Sequence, residues 1–476
     1  MMWEFLIQKM KMYCSSVIFD ATNELTYHQI IELAMVHGNR LKENLLPKSK
    51  CVILCDAGLN GAVSFLSCWY AGMIPVPVSM HYGERHCLKI IELIQPDLLI
   101  TDNDKFQYPD FKYQLQKKEF GGEQKSKGDN EDLEDVAIIM FTSGTTGNPK
   151  GVLITEKGLK KNVIKISQHF NINSYDRIMI ARPLYHCTVL TGELLLSLFN
   201  GVNIGFFDDK YSPNSMLEFA TQNEISFLGG TPSLLNHFST FIQRRNTKHL
   251  IKKVVLSGEI IKKNVTINIR KGFPDADIYC AYGMTEAAPR AAYLPPHKFD
   301  ICPESAGIPF DGIQIKIVNE ANLKLPVHAS GMVMIKTPSV MKGYYKNDEL
   351  TKETIIDGWL KTKDIGYQDE NGYLYILSRA DDMIIKGGMN IYPKEIENQI
   401  EELSQIKECS VYGIRADSGE KIAVDLALHE IMTKKELMLL LAGVLPSYQM
   451  PTEVNIVDSL PRNASGKIIR REKNDK

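Results

Sequence analysis

Several things are missing from this chain of 476 residues, and each absence excludes something. No run of about 18 apolar residues occurs, so no membrane-spanning helix is expected. The opening stretch MMWEFLIQKMKMYC scatters charges where a secretory signal has its apolar region. Neither sign of charge dominates. Lys and Arg number 55 against 57 Asp and Glu, a formal net charge of −2, which argues against a nucleic-acid binder. The nine cysteines hold no C-x-x-C pair, and an odd number in so long a chain argues against a disulfide framework. Free thiols and a cytoplasmic location are the expectation, with Cys51 and Cys55 buried in the apolar run CVILC. Internal repeats and sustained heptads are also lacking. What is present is an ordinary globular composition, 44% hydrophobic and 24% charged, which rules out a disordered, collagenous or membrane-embedded chain.

Short apolar runs alternate with longer amphipathic ones. Strands are expected at 52–55, 98–101, 136–141, 178–181, 202–207, 254–257 and 278–281. Helical patterns at 27–46, 61–71, 157–170 and 215–222 lie between them. This alternation predicts an α/β fold with largely parallel sheets, because parallel strands need crossover helices. Residues 121–135 read as an exposed polar loop. Beyond about residue 310 short strands separated by turns predict a β-rich subdomain. From about residue 382 the order is helix 394–403, strand 408–414, strand 421–429 and helix 434–445, a compact α+β unit. The predicted division is a large N-terminal domain, 1–380, and a small C-terminal domain, 382–476.

Four segments carry candidate chemistry. In the first, a strand runs into Thr142, Ser143, Gly144, Thr145, Thr146, Gly147, Asn148, Pro149, Lys150 and Gly151. Glycines let backbone N–H groups turn toward an anion, hydroxyls add donors, and Lys150 adds a point charge. A polyphosphate suits this loop, although Pro149 before the lysine and Gly151 after it exclude a Walker A motif. A plain turn after a core strand is the alternative. The second segment is Tyr282-Gly283-Met284-Thr285-Glu286, where the carboxylate suits a Mg²⁺ bridging phosphates, or Thr285 simply caps a helix. The third holds Asp364, suited to a ribose diol, and Arg379, which ends a strand beside two aspartates; an ordinary surface ion pair is the alternative. The fourth is the basic tail from Pro461 to Lys467, by itself a solvated end.

The order and spacing of the four together resemble the AMP-forming adenylating enzymes: acyl-CoA synthetases, peptide-synthetase adenylation domains and luciferase-like proteins. The resemblance covers essentially the whole chain. It implies that a carboxylic acid attacks the α-phosphate of ATP, giving an acyl-adenylate and pyrophosphate. A thiol of coenzyme A, or of a carrier-protein phosphopantetheine arm, then displaces AMP. It also implies roles. Thr142 to Gly147 and Lys150 hold the β- and γ-phosphates, Thr285 contacts the α-phosphate and Glu286 ligates Mg²⁺. Ser257, Gly258, Glu259, Tyr282 and Gly283 flank the nucleotide. Asp364 with Arg379 binds the ribose, and Lys467 bridges carboxylate and nucleotide. Asp381 is the hinge of a mobile C-terminal domain, and Lys386, Gly387 and Gly388 line the thiol tunnel after rotation. His186, in Pro183-Leu184-Tyr185-His186, gates the space between carboxylate and thiol. One departure stands out: Lys363 replaces a customary glycine before Asp364, which costs strain if that site has φ > 0.

Amino-acid-activating relatives place an Asp just after the His186 stretch. Cys187 to Gly192 (CTVLTG) contains no acid, which favours an acid lacking an α-amine; Glu193, one residue further, leaves the question open. The apolar runs 194–199 and 227–228 line a hydrophobic acyl pocket or are plain core. The leading expectation is an acyl-CoA synthetase for a hydrophobic or aromatic acid. The rivals are a freestanding adenylation enzyme loading a carrier protein, and a nucleotide-binding pseudoenzyme. Retention of Glu286, Asp364 and Lys467 speaks against the last.

Overall fold

The structure is a computed structural model. It describes residues 1–470 except 55–57, 80–83, 102–113, 117–131, 144–148, 208–210, 387–388, 417–418 and 463–467. The predicted loop at 121–135 and the thiol Cys55 therefore lie largely outside the described residues, whereas Cys51 is a buried free thiol.

Apolar runs bounded by turn residues become strands within one or two positions of the expected limits: Lys50–Leu54, Leu98–Thr101, Arg177–Ile180, Asn203–Phe206, Lys253–Ser257 and Asp277–Gly283. Their neighbours in sequence are helices capped by the expected chemistry. Thr26 and Gln29 form a reciprocal capping box at Tyr27–Asn44. Thr231 accepts from the Leu234 N–H, and Pro232 fills the first helical position of Pro232–Arg245.

Among the described residues the largest sheet has nine strands. Its middle runs Asp277–Gly283, Lys253–Ser257, Phe227–Gly230, Arg177–Ile180, Asn203–Phe206 and Val17–Phe19, all parallel. Antiparallel strands close both edges, Glu24–Thr26 at one and Arg290–Leu294 with Ile308–Pro309 at the other. A second sheet holds Ile74–Pro77, Lys50–Leu54 and Leu98–Thr101 in parallel. Val136–Ser143 and Pro149–Thr155 form an antiparallel hairpin around the hydroxyl-rich segment. The expected β-rich part is a five-stranded antiparallel sheet built on Gln314–Val318, Gly331–Lys336, Trp359–Gln368 and Leu374–Arg379.

The C-terminal unit forms a core of its own. Ile384, Ile391, Ile396, Ile400, Val411, Val424, Leu437 and Leu441 pack together apart from the cores of the larger part. Its helices span Pro393–Ile400 and Lys434–Ala442, and its strands Ile406–Ala416 and Gly419–Leu428. The first helix stops three residues short of the predicted 403, and the last stops at Gly443.

Candidate active site

The carboxyl ends of the parallel strands converge with the β-rich sheet, the usual place for a ligand in an open α/β sheet. Asp277–Gly283 delivers Tyr282 and Gly283 to this edge. A Cβ on Gly283 would stand 1.9 Å from the Pro289 carbonyl oxygen, so the close backbone crossing there demands glycine. Thr285 does not cap a helix. Thr285–Ala287 is a single 3₁₀ turn whose N-cap is Met284, and Ala288 in the left-handed region (φ 62°) ends it. Glu286 is held in that turn, 7% exposed, with Oε1 accepting 2.8 Å from the Tyr344 hydroxyl. Among the described residues no cluster of His, Cys, Asp and Glu would hold a metal by itself. A lone buried carboxylate nevertheless fits Mg²⁺, which takes one or two carboxylates together with phosphate oxygens.

Asp364 and Arg379, fifteen residues apart, are register partners on adjacent strands. The Arg379 guanidinium donates to Asp364 Oδ1 at 2.9 Å, and the Tyr282 hydroxyl donates to Oδ2 at 2.6 Å. Burial, and then the Asp364 charge, pushes the Tyr282 phenol well above its ordinary pKa, so it stays a donor. Each carboxylate oxygen keeps a second lone pair, which leaves acceptors for a diol. Lys363, just before Asp364, has φ 64°. The left-handed conformation that the customary glycine would adopt freely is here imposed on a side chain. The Lys363 Nζ lies 3.9 Å from Asp381.

Thr142 pairs with Lys150 and Ser143 with Pro149 across the hairpin. Gly144, Thr145, Thr146 and Gly147 lie outside the described residues. Lys150 faces an open cleft of about 460 Å³ that Lys89, Tyr344, Tyr345 and Lys346 also line. At the next strand end, Gly258 has φ 93°. Glu259 accepts from the Ser233 backbone N–H at 2.9 Å and the Ser233 hydroxyl at 2.7 Å. Ser257 Oγ and Glu259 Oε1 are shut from solvent without a partner among the described residues.

A second set of charges gathers at the end of Arg177–Ile180. His186 Nε2 is enclosed and unpartnered among the described residues. Burial, and then the Arg182 charge, lowers the His186 pKa to about 3, so the ring is neutral at ordinary pH. The run from Leu190 to Leu195 is a π-helical turn, which sequence periodicity did not announce. It turns Glu193 inward, where the carboxylate accepts from Arg182 in a buried ion pair. Arg290, 2% exposed, lies beside them. Arg182, Arg290 and Tyr344 escaped the sequence reading. Arg182 lies two residues past a buried strand, where a buried charged residue is itself a signal; Arg290 and Tyr344 reach the site only through the fold.

Lys467, Gly387 and Gly388 lie outside the described residues. Lys386 donates to the carbonyls of Tyr448 at 2.9 Å and Met450 at 3.3 Å, both within its own unit. Asp381 sits in an exposed turn. Close to it a buried network joins the two parts of the chain. Lys262 meets Glu397 at 3.1 Å and Glu401 at 2.8 Å, and Arg470 grips both oxygens of Glu397 at 2.7 and 2.9 Å.

Comparison with known proteins agrees with this layout. Residues 8–345 match the AMP-binding enzyme family, and residues 395–467 match the AMP-binding enzyme C-terminal domain. The 2-succinylbenzoate–CoA ligase of Bacillus pumilus is 34% identical over 355 residues, covering 74% of this chain and 71% of that protein. Feruloyl-CoA synthase from an Amycolatopsis species is 30% identical over 345 residues, 71% of this chain and 70% of that protein. In fold, the chain superposes on Bacillus subtilis o-succinylbenzoate CoA synthetase in complex with its acyl-adenylate intermediate with a TM-score of 0.84. That match is 24% identical and covers 99% of this chain and 98% of the other. Among the described residues no helix is long and apolar enough to cross a membrane. With both family matches falling on the two parts of the fold, the chain belongs to the AMP-binding enzyme family.

Proposed function

We propose that this chain activates an aromatic or otherwise apolar carboxylic acid without an α-amine, and passes the acyl group to coenzyme A. The chain is an AMP-forming acid–thiol ligase, and the curated relatives named above carry aryl acids in their names. The observation that carries the choice of acid is the Arg182–Glu193 pair. Glu193, the carboxylate that an α-ammonium would need, is already held by a guanidinium, with Arg290 adding positive charge nearby. An ammonium buried there would meet repulsion and no free partner.

In this reading the residues divide the work as follows. Thr142 to Gly147 and Lys150 hold the terminal phosphates. Thr285 donates to the α-phosphate, and Asp364, kept in place by Tyr282 and Arg379, accepts from the ribose hydroxyls. Glu286, steadied by Tyr344, holds Mg²⁺, which when bound supplies charge neutralisation at the phosphates. Ser257, Gly258 and Glu259 border the base. Neutral His186 shields the reacting carboxylate from water, and Lys467 offers it an ammonium. Two anions must approach in line, so positioning and charge compensation are the main tasks. The small domain, 382–476, turns about Asp381 between the half-reactions, bringing Lys386 to Gly388 toward the thiol. Its separate core supports such a motion.

The test is acid-dependent ATP–pyrophosphate exchange without thiol, across plain and α-amino acids, followed by addition of coenzyme A. Exchange with plain aryl acids and thioester formation with coenzyme A are expected; exchange confined to amino acids would overturn the reading. Lys467→Ala is expected to abolish exchange yet spare thioester formation from a preformed acyl-adenylate. Equal loss of both would remove the two-conformation account.

A further inference from the structure

The two parts of the chain meet through charge. Lys262 belongs to the larger part, at the start of the helix Lys263–Gly272, which its side chain does not cap. That side chain is 14% exposed and reaches across to Glu397 at 3.1 Å and Glu401 at 2.8 Å. Burial by itself would lower the pKa of the ammonium, but Glu397 and then Glu401 hold it above the ordinary lysine value. Lys262 therefore stays charged.

The helix Pro393–Ile400 is divided between two tasks. Ile396 and Ile400 turn into the core of the small unit. Lys394, Glu397, Asn398 and, just past the helix, Glu401 have the spacing of one helix face. All four bond to the larger part. Lys394 donates to the Ile376 carbonyl at 3.2 Å and Asn398 to Glu304 at 2.9 Å, beside the two contacts of Lys262. Among the described residues, no apolar side chain of the larger part joins the small unit's core. Such a polar junction can part without baring a core.

The two sides depend on the junction unequally. Glu397 keeps both contacts with Arg470 and the Val411 N–H inside its own unit, and Glu401 accepts from the Cys409 thiol there. Both carboxylates that hold Lys262 come from across the junction. If the small unit turns away, its own charges stay paired, and Lys262 is released to water. The orientation in this structure keeps the segment proposed to meet the thiol at a distance. Lys386 is held by the carbonyls of Tyr448 and Met450, and Ile385 and Met389 are 50% and 46% exposed. Arg462, in the tail that carries Lys467, lies instead on the larger part: after burial, its charge is what acts on the pKa values of Tyr211 and His237 there.

We infer that Lys262 is a positioning residue for the first half-reaction: its pairing with Glu397 and Glu401 latches the small unit in the orientation that forms the acyl-adenylate, and opens for the turn toward the thiol. This inference rests on the ligase reading above and its two orientations, and it names the group that sets the balance between them.

The experiment separates the half-reactions in Lys262→Met and Lys262→Arg, using the acid that gives wild-type protein its fastest ATP–pyrophosphate exchange. Lys262→Met is expected to lower kcat for that reaction about 10-fold at unchanged KM for ATP and acid, because fewer molecules hold the competent orientation. Thioester formation from preformed acyl-adenylate and coenzyme A should run at the wild-type rate or faster. Lys262→Arg, which keeps the charge, should restore most of the first half-reaction. Amide hydrogen–deuterium exchange supplies a readout without any substrate. In Lys262→Met it should quicken over residues 374–401, the junction and hinge, and stay unchanged over the strands Ile406–Ala416 and Gly419–Leu428. Equal loss of both half-reactions, or faster deuterium uptake throughout the small unit, would make Lys262 a structural residue and overturn the inference while leaving the ligase intact. A wild-type rate of pyrophosphate exchange in Lys262→Met overturns it too. Absence of pyrophosphate exchange with every acid counts against the ligase reading, and the deuterium comparison still decides Lys262.

Discussion

Two of the buried charge clusters among the described residues differ in one respect. At the junction with the C-terminal unit, Lys262 and Arg470 face Glu397, Glu401 and Asp382. Glu397 is 1% exposed, yet its two oxygens accept from Arg470, from Lys262 and from the Val411 backbone N–H. In the cluster beyond the Arg177–Ile180 strand, Arg182, Glu193, Arg290 and His186 keep five enclosed nitrogens and one enclosed oxygen without partners among the described residues. A protein that can saturate one buried network has no general difficulty in doing so. A saturated cluster holds structure together, whereas an unsaturated one leaves buried donors uncompensated.

The largest effect should come from breaking the saturated cluster. Glu397→Ala leaves Lys262 and Arg470 buried without their shared anion. Denaturant unfolding is expected to show a loss of about 3–5 kcal/mol. A loss below about 1 kcal/mol would mean that the junction opens to water at little cost.

In the unsaturated cluster, Glu193→Gln removes the one carboxylate and is expected to cost about 3 kcal/mol. Adding Arg290→Met should recover part of that loss, because the second cation no longer lacks a counter-charge. A double mutant as unstable as the sum of the singles would show that the two groups are not coupled.

The clusters should also separate along the pH axis. Burial lowers the folded-state pKa of His186 to about 3. The unfolded chain then binds this proton first, and stability falls as pH drops from about 6.5 toward 3, by at most about 1.4 kcal/mol per unit. Glu397 is pulled the other way. Burial raises its pKa, but Arg470 and Lys262 outweigh that and hold it below the ordinary carboxylate value. Its contribution is complete above the unfolded value of about 4.3 and is lost as pH falls through the folded one. His37, His86 and His237 are shifted the same way, so an acid titration of stability should show an early slope that His186→Asn reduces and a later one that Glu397→Gln reduces. A single slope insensitive to His186→Asn would refute the assignment.

The smallest effect concerns Lys363, exposed and outside both clusters. Its φ of 64° is a glycine conformation. Lys363→Gly should stabilise by about 1 kcal/mol through relief of that strain. The pair with Asp381 that it gives up is solvent-exposed and contributes little. A loss of stability would mean that the Asp381 contact outweighs the strain.

Much of this was legible before the fold. The alternation of short apolar runs and amphipathic helices gave the parallel sheet because burial on both faces writes itself into local composition. Four motifs in order gave the family because glycine, hydroxyl and carboxylate at fixed spacing are chemical requirements of nucleotide handling. Asp364 and Arg379 stand out together in the sequence, and a register pairing puts them 2.9 Å apart. Thr285 was open to reading as a helix cap, and the chain stops after one turn because Ala288 turns left-handed. On sequence alone Glu193 is an open partner for an ammonium. Nothing local announced that Arg182 would claim it, since the π-helical turn that aims it inward breaks the 3.6-residue period on which such a reading depends.

The sequence by itself determined the α/β layers and the family, and it named the segments proposed to handle the nucleotide, because each is encoded within a window of a dozen residues or in the order of such windows. Only the tertiary structure decided which charges are buried together. Lys262 and Glu397 are 135 positions apart, and Arg182 and Arg290 are 108 apart. Whether a charge is compensated depends on what arrives within a few ångströms of it in the folded chain. Burial strengthens that dependence, because low dielectric magnifies both the pairing and the lack of it.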